Sequence, residues 1–517
     1  MVLPPKLIHP MGEAITAAKK ALTEAVEVDT FDGKLHIEWD PTATVTPIGQ
    51  LPFFIQFLKL GNRFEPWVEE CPLVYTSRNA PTKTDVLGSL LLSVLSGHTR
   101  YSHIATLMSD SVNSALLGMK KVVSDDSARR ALKRMDEVKG IHWLQDHLFS
   151  SYAPLLNTPW ILDADVTVKP LYGHQQGAVL GYNPHKPGRP SHTYHTYMMA
   201  NLRLVLDVEV QAGDQSQSAH SLPGLLAILR KLSVNQRPTF VRGDCDWGSD
   251  RVMKDLEELA QPYLFKLKKS KNVKALINRH HCLGEWTPFN EGWEAKTDQL
   301  QLQSWDTERR IVIVRRRVRG ENIMALELGS GGQQEELAFV DGPEDMKLYE
   351  YSVLVTSLKD ELVTLVQHYR DRADCENVFD EIKNQWGWGG FTTQDLKSCQ
   401  LMTRIIALVY NWWSLFVRLA NPAKHYEAIT SRPLLLSSVG RLIKTGRQQR
   451  MVITSSHSHT TQVQALYRRM ASFFNDLKNA APQLTPQACW ERILVKAMEA
   501  FSVVMHPEPI NILPAPA

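Results

Sequence analysis

The chain is poor in cysteine and has no close pair of them: Cys71, Cys245, Cys282, Cys375, Cys399 and Cys489 are scattered over 517 residues. Without a CxxC pair, a disulfide framework and a structural zinc site are both excluded as organising features. His280, His281 and Cys282 form the only tight cluster of soft ligands. No second pair stands at finger spacing, so this segment reads as a loop. No apolar run is long enough to span a membrane, and the opening M-V-L-P-P-K has neither the basic start nor the apolar stretch of a secretory leader. An intracellular protein is the expectation. An excess of one charge is also absent, because 58 Lys and Arg meet 55 Asp and Glu for a net +3. Any nucleic-acid binding must therefore come from local patches. With 43% hydrophobic and 22% charged residues the composition is that of a globular protein, with room for about two to four domains.

The patterning changes along the chain. Ala14 to Val28 reads as a helical patch, and Pro47 to about Lys139 is helical throughout, with apolar residues at helical spacing in Phe53–Leu60, Thr84–Ser96 and Ile104–Met108. Ser124-Asp125-Asp126 is a good N-cap for a helix carrying Arg129, Arg130, Lys133 and Arg134. Two short helices followed by a capped basic one suit a helix-turn-helix-like DNA reader, and they equally suit a helical bundle with a solvated basic face.

From Pro159, strands at Trp160–Val168 and Leu202–Val210 precede alternating elements: helix Leu222–Leu232, strand Thr239–Arg242, helix Asp250–Leu259 and strand Tyr263–Leu267. This order describes a mixed α/β sheet. Strands at Gln301–Trp305, Arg309–Val318 and Glu336–Val340 then interrupt it like an inserted β domain, before strand Tyr351–Thr356 and a long helix Lys359–Gln385. An apolar helix at Leu401–Leu419 holds Asn411, Trp412 and Trp413. The rest reads as helical, with a basic segment from Arg441 to Arg450 and a Pro-rich tail.

Within the long helix, Tyr369, Arg372, Glu376 and Lys383 stand at offsets 0, 3, 7 and 14. At about 100° per residue they fall within a sector of about 60°. A phenol, two cations and a carboxylate on one stripe suit phosphate and a metal ion. A lattice of solvated ion pairs, helped by Asp371, Asp374, Asp380 and Glu381, is the plainer alternative. Glu381, at about 120°, points away from the stripe, and Asp380, at about 20°, faces it. Two further carboxylates sit on strands: Asp165 in W-I-L-D-A-D-V-T-V, sharing a face with Asp163, and Asp244 ending T-F-V-R-G-D, with Asp246 two residues on. Strand-end carboxylates can hold divalent cations with open positions, although Asp is also common at strand exits and helix caps.

The stripe Tyr369-x2-Arg372-x3-Glu376-x6-Lys383 resembles the YREK signature of bacterial insertion-sequence transposases with a DDE active site. Asp165-Val166-Thr167 and Val241–Asp244 are similar to that family's first and second aspartate segments. Y-G-H-Q-Q-G-A (Tyr172–Ala178) and G-Y-N-P-H-K-P-G-R-P-S (Gly181–Ser191) resemble its thirteen-eighty subgroup, within the insertion-sequence four superfamily. The resemblance covers about 159–420. It departs at Ala373, where relatives often carry Gly.

The resemblance implies an α/β fold: an RNase H-like catalytic core at 159–267 and 350–420, interrupted by a β-strand insertion domain at 268–349. A helical DNA-binding domain at 1–150 and a helical C-terminal region at 425–517, serving dimerisation, flank it. It implies Asp165, Asp244 and Glu376 as catalytic residues and ligands of two Mg²⁺ or Mn²⁺ ions, with Asp163, Asp246 and Asp380 as second choices. Tyr369, Arg372 and Lys383 would hold the DNA backbone. The implied activity is cleavage of the element's terminal inverted repeats and joining of 3′-hydroxyls to target DNA, through hairpin ends. The partners would be double-stranded DNA and a second copy of the chain in a synaptic complex, without a membrane, in the cytoplasm at the nucleoid.

Other cations suit phosphate: Lys266 and Lys268 after a core strand, Lys186 and Arg189 in a turn, and Arg315, Arg317 and Arg319 alternating along one strand as a cationic ridge. A solvated or charge-guarded strand face explains the ridge as well. Trp286, Trp293 and Trp305 lie in the insertion, where the resembled family stacks a flipped base on an aromatic residue. Two other readings remain open on sequence: a nuclease of the same fold that does not join strands, and a catalytically idle DNA-binding repressor.

Overall fold

The computed structural model describes residues 25–40, 42–183, 186–215, 217–283, 285–290, 292–317, 348–422, 425–455 and 459–499. The expected strand Glu336–Val340, Arg319, most of the helical patch from Ala14 and the Pro-rich tail lie outside these residues. Among the described residues no helix is long and apolar enough to cross a membrane.

An exposed hairpin, β1 (Val26–Thr30) and β2 (Gly33–Ile37), and a short strand β3 (Val45–Thr46) lead into the helical region, so the helical patch does not extend to Val28. Helices α1 (Leu51–Leu60), α2 (Phe64–Glu69), α3 (Lys83–Leu95), α4 (Ser111–Leu116), α5 (Asp125–Arg134) and α6 (Glu137–Tyr152) follow. Their starts are set by local chemistry. Thr82 and Asp85 form a reciprocal capping box on α3, and the Ser124 hydroxyl accepts from Ser127 N on α5. The expected helix at Ile104–Met108 is a 3₁₀ segment, Tyr101–Ser109.

The sheet is built from β4 (Ile161–Pro170), β5 (Ser191–Met199), β6 (Leu204–Ala212), β7 (Phe240–Gly243), β8 (Tyr263–Lys266), β9 (Thr287–Asn290), β10 (Trp293–Leu300), β11 (Arg309–Arg317) and β12 (Tyr349–Thr356). Nine strands run in the order β6-β5-β4-β7-β8-β12-β11-β10-β9. β4, β5 and β6 are mutually antiparallel, whereas β4-β7 and β7-β8 are parallel. The parallel steps use the helical crossovers α7 (Gln217–Lys231) and α8 (Asp250–Glu258).

Three expectations need correction here. β9, β10 and β11 extend the central sheet through β12 rather than forming a sheet of their own, because β12 pairs with β8 on one side and β11 on the other. Gln301–Trp305 is turn, not strand, and His280-His281 closes a helix, α9 (Lys271–His281), not a loop. The helix expected over Lys359–Gln385 is broken into α10 (Leu362–Arg370) and α11 (Ala373–Gln385).

α12 (Leu396–Ala420) is buried on nearly every side, as a helix apolar all round must be. The helical region packs on one flank: Trp412 Nε1 donates to Ser151 Oγ at 3.0 Å, and the Trp67 and Trp412 rings meet edge to face. On the other flank lies β6, the edge of the sheet. An open edge leaves backbone groups unpaired, and α12 supplies the missing partners. Asn411 accepts from Val205 N at 2.9 Å and donates to Val205 O at 2.7 Å, and Gln400 accepts from Val210 N at 3.0 Å. Arg404, itself buried, pairs with Asp207 at 2.8 Å. Beyond α12 come α13 (Ala428–Leu435), a hairpin of β13 (Gly440–Thr445) and β14 (Gln448–Ile453), α14 (Thr460–Ala480) and α15 (Pro486–Ala497). The basic segment Arg441–Arg450 is therefore a β-hairpin, paired with β3, and not helix.

Replacing Asn411 with Leu should keep the packing volume but strand both polar groups of Val205 in the interior. The expected loss is roughly 2–5 kcal/mol, read as a lowered urea midpoint, larger than for a surface Asn replaced in the same way.

Candidate functional site

Asp165 sits mid-way along β4 and Asp244 directly follows β7, the parallel neighbour that pairs Ala164 with Gly243. The V-R-G-D segment has a local reason for each residue. Phe240 and Val241 are core. Gly243 cannot carry a side chain, because a Cβ there would stand 2.6 Å from the folded-back Trp247 ring. Arg242 is 2% exposed and makes a two-pronged ion pair with fully buried Asp163, Nε to Oδ1 at 2.6 Å and Nη2 to Oδ2 at 2.7 Å. Its third arm, Nη1, donates to the carbonyl of His368 near the end of α10. One guanidinium thus ties β4, β7 and α10 together directly beneath Asp165, Asp244 and Tyr369. Asp163, an alternative ligand on sequence grounds, is consumed by this pair.

Between α10 and α11 the chain tightens: Arg372 N, Asp374 N and Cys375 N each reach back three residues, to Tyr369, Asp371 and Arg372 carbonyls at 2.9–3.2 Å. This 3₁₀ turn re-aims the second half of the stripe, so the angular arithmetic of one unbroken helix does not hold across it. Arg372 is turned inward and is 8% exposed, with Nη2 2.5 Å from Asp165 Oδ2. Glu376, one turn later, has its side chain 71% exposed and approaches the same guanidinium at 3.8 Å. Tyr369 is partly buried against the second core cluster. Lys383, half-buried, donates to the Val168 carbonyl of β4 at 3.3 Å.

α11 is pinned at both ends. Arg203, in a left-handed turn (φ 53°) between β5 and β6, pairs with Asp374, with Nε to Oδ2 at 2.7 Å. Buried Glu381 accepts from Trp386 Nε1 and Ala428 N at 3.0 Å each and contacts His425 at 3.0 Å. Glu381 thus faces away from the stripe, as its helical angle requires, while Asp380 is exposed and accepts from Asn384 at 2.7 Å.

The electrostatics of this corner are those of a crowded acidic site. Burial pushes Asp165 up to about 6, with Arg372 pulling the other way and Asp244 and Asp163 adding to the rise. Burial also raises Asp244, against Arg372. Burial lowers Arg372, but Asp165, Tyr369, Cys375 and Asp244 more than reverse that and hold its proton firmly. Burial keeps the Tyr369 phenol protonated well above its usual range, and it depresses the Lys383 ammonium.

Arg372 thus serves as the counter-ion of Asp165 in this structure. Among the described residues no three His, Cys, Asp or Glu side chains are gathered closely enough to hold a metal ion, since Arg372 stands against Asp165 and Glu376 points outward. The donor set itself, hard carboxylate oxygens under mutual repulsion, fits a hard divalent cation. The buried Arg372 Nε also has no hydrogen-bond partner.

The remaining predicted residues separate into those turned toward the corner and those already engaged. Lys266, at the end of β8, stands close enough to lower the Asp244 pKa, and Lys268 lies exposed just beyond it. Lys186 and Arg189 are exposed in the β4–β5 loop, and Arg317 is exposed on β11. Arg315 is not part of an open ridge: it is ion-paired with Glu294 at 2.5 Å and lies over Trp286 at 4.0 Å. Trp293 receives Arg316 and Arg370 in the same manner, and Trp305 is buried. On α5, Arg129 and Arg130 are paired with Asp125 and Asp126, while Lys133 is exposed. Arg242 was missed at the sequence level. The signal was there as a lone Arg inside an apolar strand, with Asp163 unexplained two residues before Asp165.

The family described as transposase DDE domain group 1 matches residues 76–474. Among solved structures, the cryo-EM structure of the piggyBac transposase synaptic complex with hairpin DNA is similar at a TM-score of 0.34 and 12% identity, over 91% of this chain and 87% of that one; so low a likeness carries no argument. No curated protein matches.

Replacing Arg242 with Met should cost about 3–5 kcal/mol by leaving Asp163 buried and unpaired, and adding Asp163→Leu should recover most of the loss in a denaturant titration. The raised Asp165 pKa carries a sign as well. The acid form is favoured by folding, so its stability contribution is complete below about pH 4 and is lost as pH rises through about 6. Arg372→Gln removes the charge that limits that rise, so it should destabilise the protein strongly at pH 8 and little at pH 4.5, measured as urea midpoints across pH.

Proposed function

The chain belongs to the transposase family with a DDE domain of group 1, which spans most of its length, and on that premise we propose that it cleaves the ends of a DNA element and joins the freed 3′-hydroxyls to target DNA. The observation that carries this reading is the meeting of Asp165, Asp244 and Arg372 at one corner of the sheet, with Glu376 one turn further along α11. The strand order β6-β5-β4-β7-β8, three antiparallel strands followed by two parallel ones, supports reading this part as an RNase H-like core.

In this reading Asp165, Asp244 and Glu376 would hold two Mg²⁺ or Mn²⁺ ions. The chemistry such ions supply is activation of the attacking water or 3′-hydroxyl and stabilisation of the leaving oxygen. The chain's own side chains do the rest. Arg372 exchanges its carboxylate partner for a phosphate oxygen, a trade between two anions that a guanidinium makes readily. Tyr369, kept protonated by burial, donates its phenol proton to a neighbouring phosphate. Lys383, anchored to Val168 O, presents its charge beside β4. Lys266, Lys268, Lys186, Arg189, Arg317 and Lys133 extend the phosphate contacts outward. Arg315, Arg129 and Arg130 have acidic partners to exchange first.

The kinship of the Tyr369–Lys383 stripe with insertion-sequence transposases supports a cut-and-paste route through hairpin ends, with two copies of the chain holding the two ends. The test is cleavage of a labelled element end in Mg²⁺, resolved on a denaturing gel. Asp165→Asn, Asp244→Asn and Glu376→Gln should each lower cutting and joining by at least about 10²-fold while leaving end binding in EDTA intact. Equal cutting by wild type and Glu376→Gln would sink the assignment.

A further inference from the structure

The β4–β5 loop carries an aromatic residue that no part of the proposed chemistry uses. β4 leaves the sheet at buried Leu171, and the next residue, Tyr172, is 66% exposed. Its ring has Arg189 at 4.7 Å and Lys186 at 5.1 Å from the centroid, and Lys186 also donates to its hydroxyl. The loop is not loosely hung. Leu171 N bonds Pro190 O at 2.8 Å, Gln176 N bonds Gln394 O at 2.9 Å, and Ser191 N bonds Val179 O at 3.0 Å.

Tyr172 forms one wall of a cleft of about 580 Å³. Arg100 and Arg129, from the helical region, line the opposite wall, and Gly389 and Gly390 line another part. Gly390 has no room for a Cβ, which would meet Thr99 O at 1.8 Å, and its carbonyl accepts from buried Lys169. Gly389 N bonds the Lys383 carbonyl at 3.1 Å, so the cleft continues directly from the candidate site. Seven residues of β4 and its exit separate Asp165 from Tyr172, about 23 Å at the rise of a strand, or roughly seven base steps of a stacked strand.

A double helix is far too wide for such a cleft, whereas one or two unpaired nucleotides fit a space of this size. An exposed ring flanked by cations is the usual platform for a base whose phosphates need neutralising. We propose that this cleft binds a single-stranded stretch of DNA, with a base stacked on Tyr172 and phosphates met by Lys186, Arg189 and Arg100. The proposal rests on the transposase reading for the presence of DNA, and it adds a site for unpaired strand separate from the carboxylates.

The test uses the full chain in EDTA, with fluorescence anisotropy of a labelled 15-nucleotide oligo-dT and of a 15-base-pair duplex. Wild type should bind the oligonucleotide. Tyr172→Leu should weaken that binding roughly 5- to 150-fold with duplex affinity unchanged, and Tyr172→Trp should restore it. Replacing Lys186 and Arg189 with Gln should lower the slope of log affinity against log salt by about 0.7 per lost contact. No oligonucleotide binding by wild type, unchanged binding by Tyr172→Leu, or equal loss for oligonucleotide and duplex would each overturn the proposal. The end-cleavage assay with Glu376→Gln decides the transposase reading separately, since these binding measurements need no metal and no cutting.

Discussion

The arrangement of the candidate site depends on one buried guanidinium. Arg242 has three arms, two on Asp163 and one on the carbonyl of His368, and the three elements it joins each deliver a site residue. A buried ion pair is seldom worth its desolvation as stability alone. What this one contributes is registry. β4 and β7 can slide along each other at little cost in apolar contact, but a two-pronged pair between Asp163 and Arg242 tolerates a single alignment. That alignment sets Asp165 beside Asp244.

The second constraint is α12, which stands where the edge of the sheet would otherwise be open. Asn411 and Gln400 act as a surrogate strand for β6, and the same helix carries Trp412 and Trp413 into the helical region. The core that packs the sheet and the core that packs the N-terminal helices are therefore continuous. Arg100 and Arg129 consequently face the β4–β5 loop across a cleft with fixed walls. The 3₁₀ turn at Asp371–Arg372 works at a smaller scale. It lets Arg372 point inward to Asp165 while Glu376 remains at the surface, a division that a straight helix would not allow.

Much of this was legible in the linear chain, and the parts that were not share a cause. The strands at Ile161 and Tyr263, the cap at Ser124 and the apolar helix around Asn411 follow from periodicity and capping, which are local. Ser191–Met199 escaped notice as a strand because it is buried on both faces and carries His192, Thr193, His195 and Thr196 among its apolar residues, so no alternation marks it. The basic segment Arg441–Arg450 became a hairpin because β3, nearly four hundred residues earlier, offers it a partner. Arg315 looked like a phosphate contact until Glu294 and Trp286 were seen to hold it from the neighbouring strand and loop.

The sequence by itself determined which residue types stand at which intervals: an aspartate on each of two strands, and a phenol, two cations and a glutamate spaced for one face of helix. Those intervals are set by covalent geometry and survive any packing. Only the tertiary structure decided that Asp163 is spent on Arg242 while Asp165 is left for the site, that the helix breaks at Arg372, and that Arg372 rather than a neighbouring lysine neutralises Asp165. These outcomes turn on which charges are buried together, and burial is a property of elements brought from far apart in the chain.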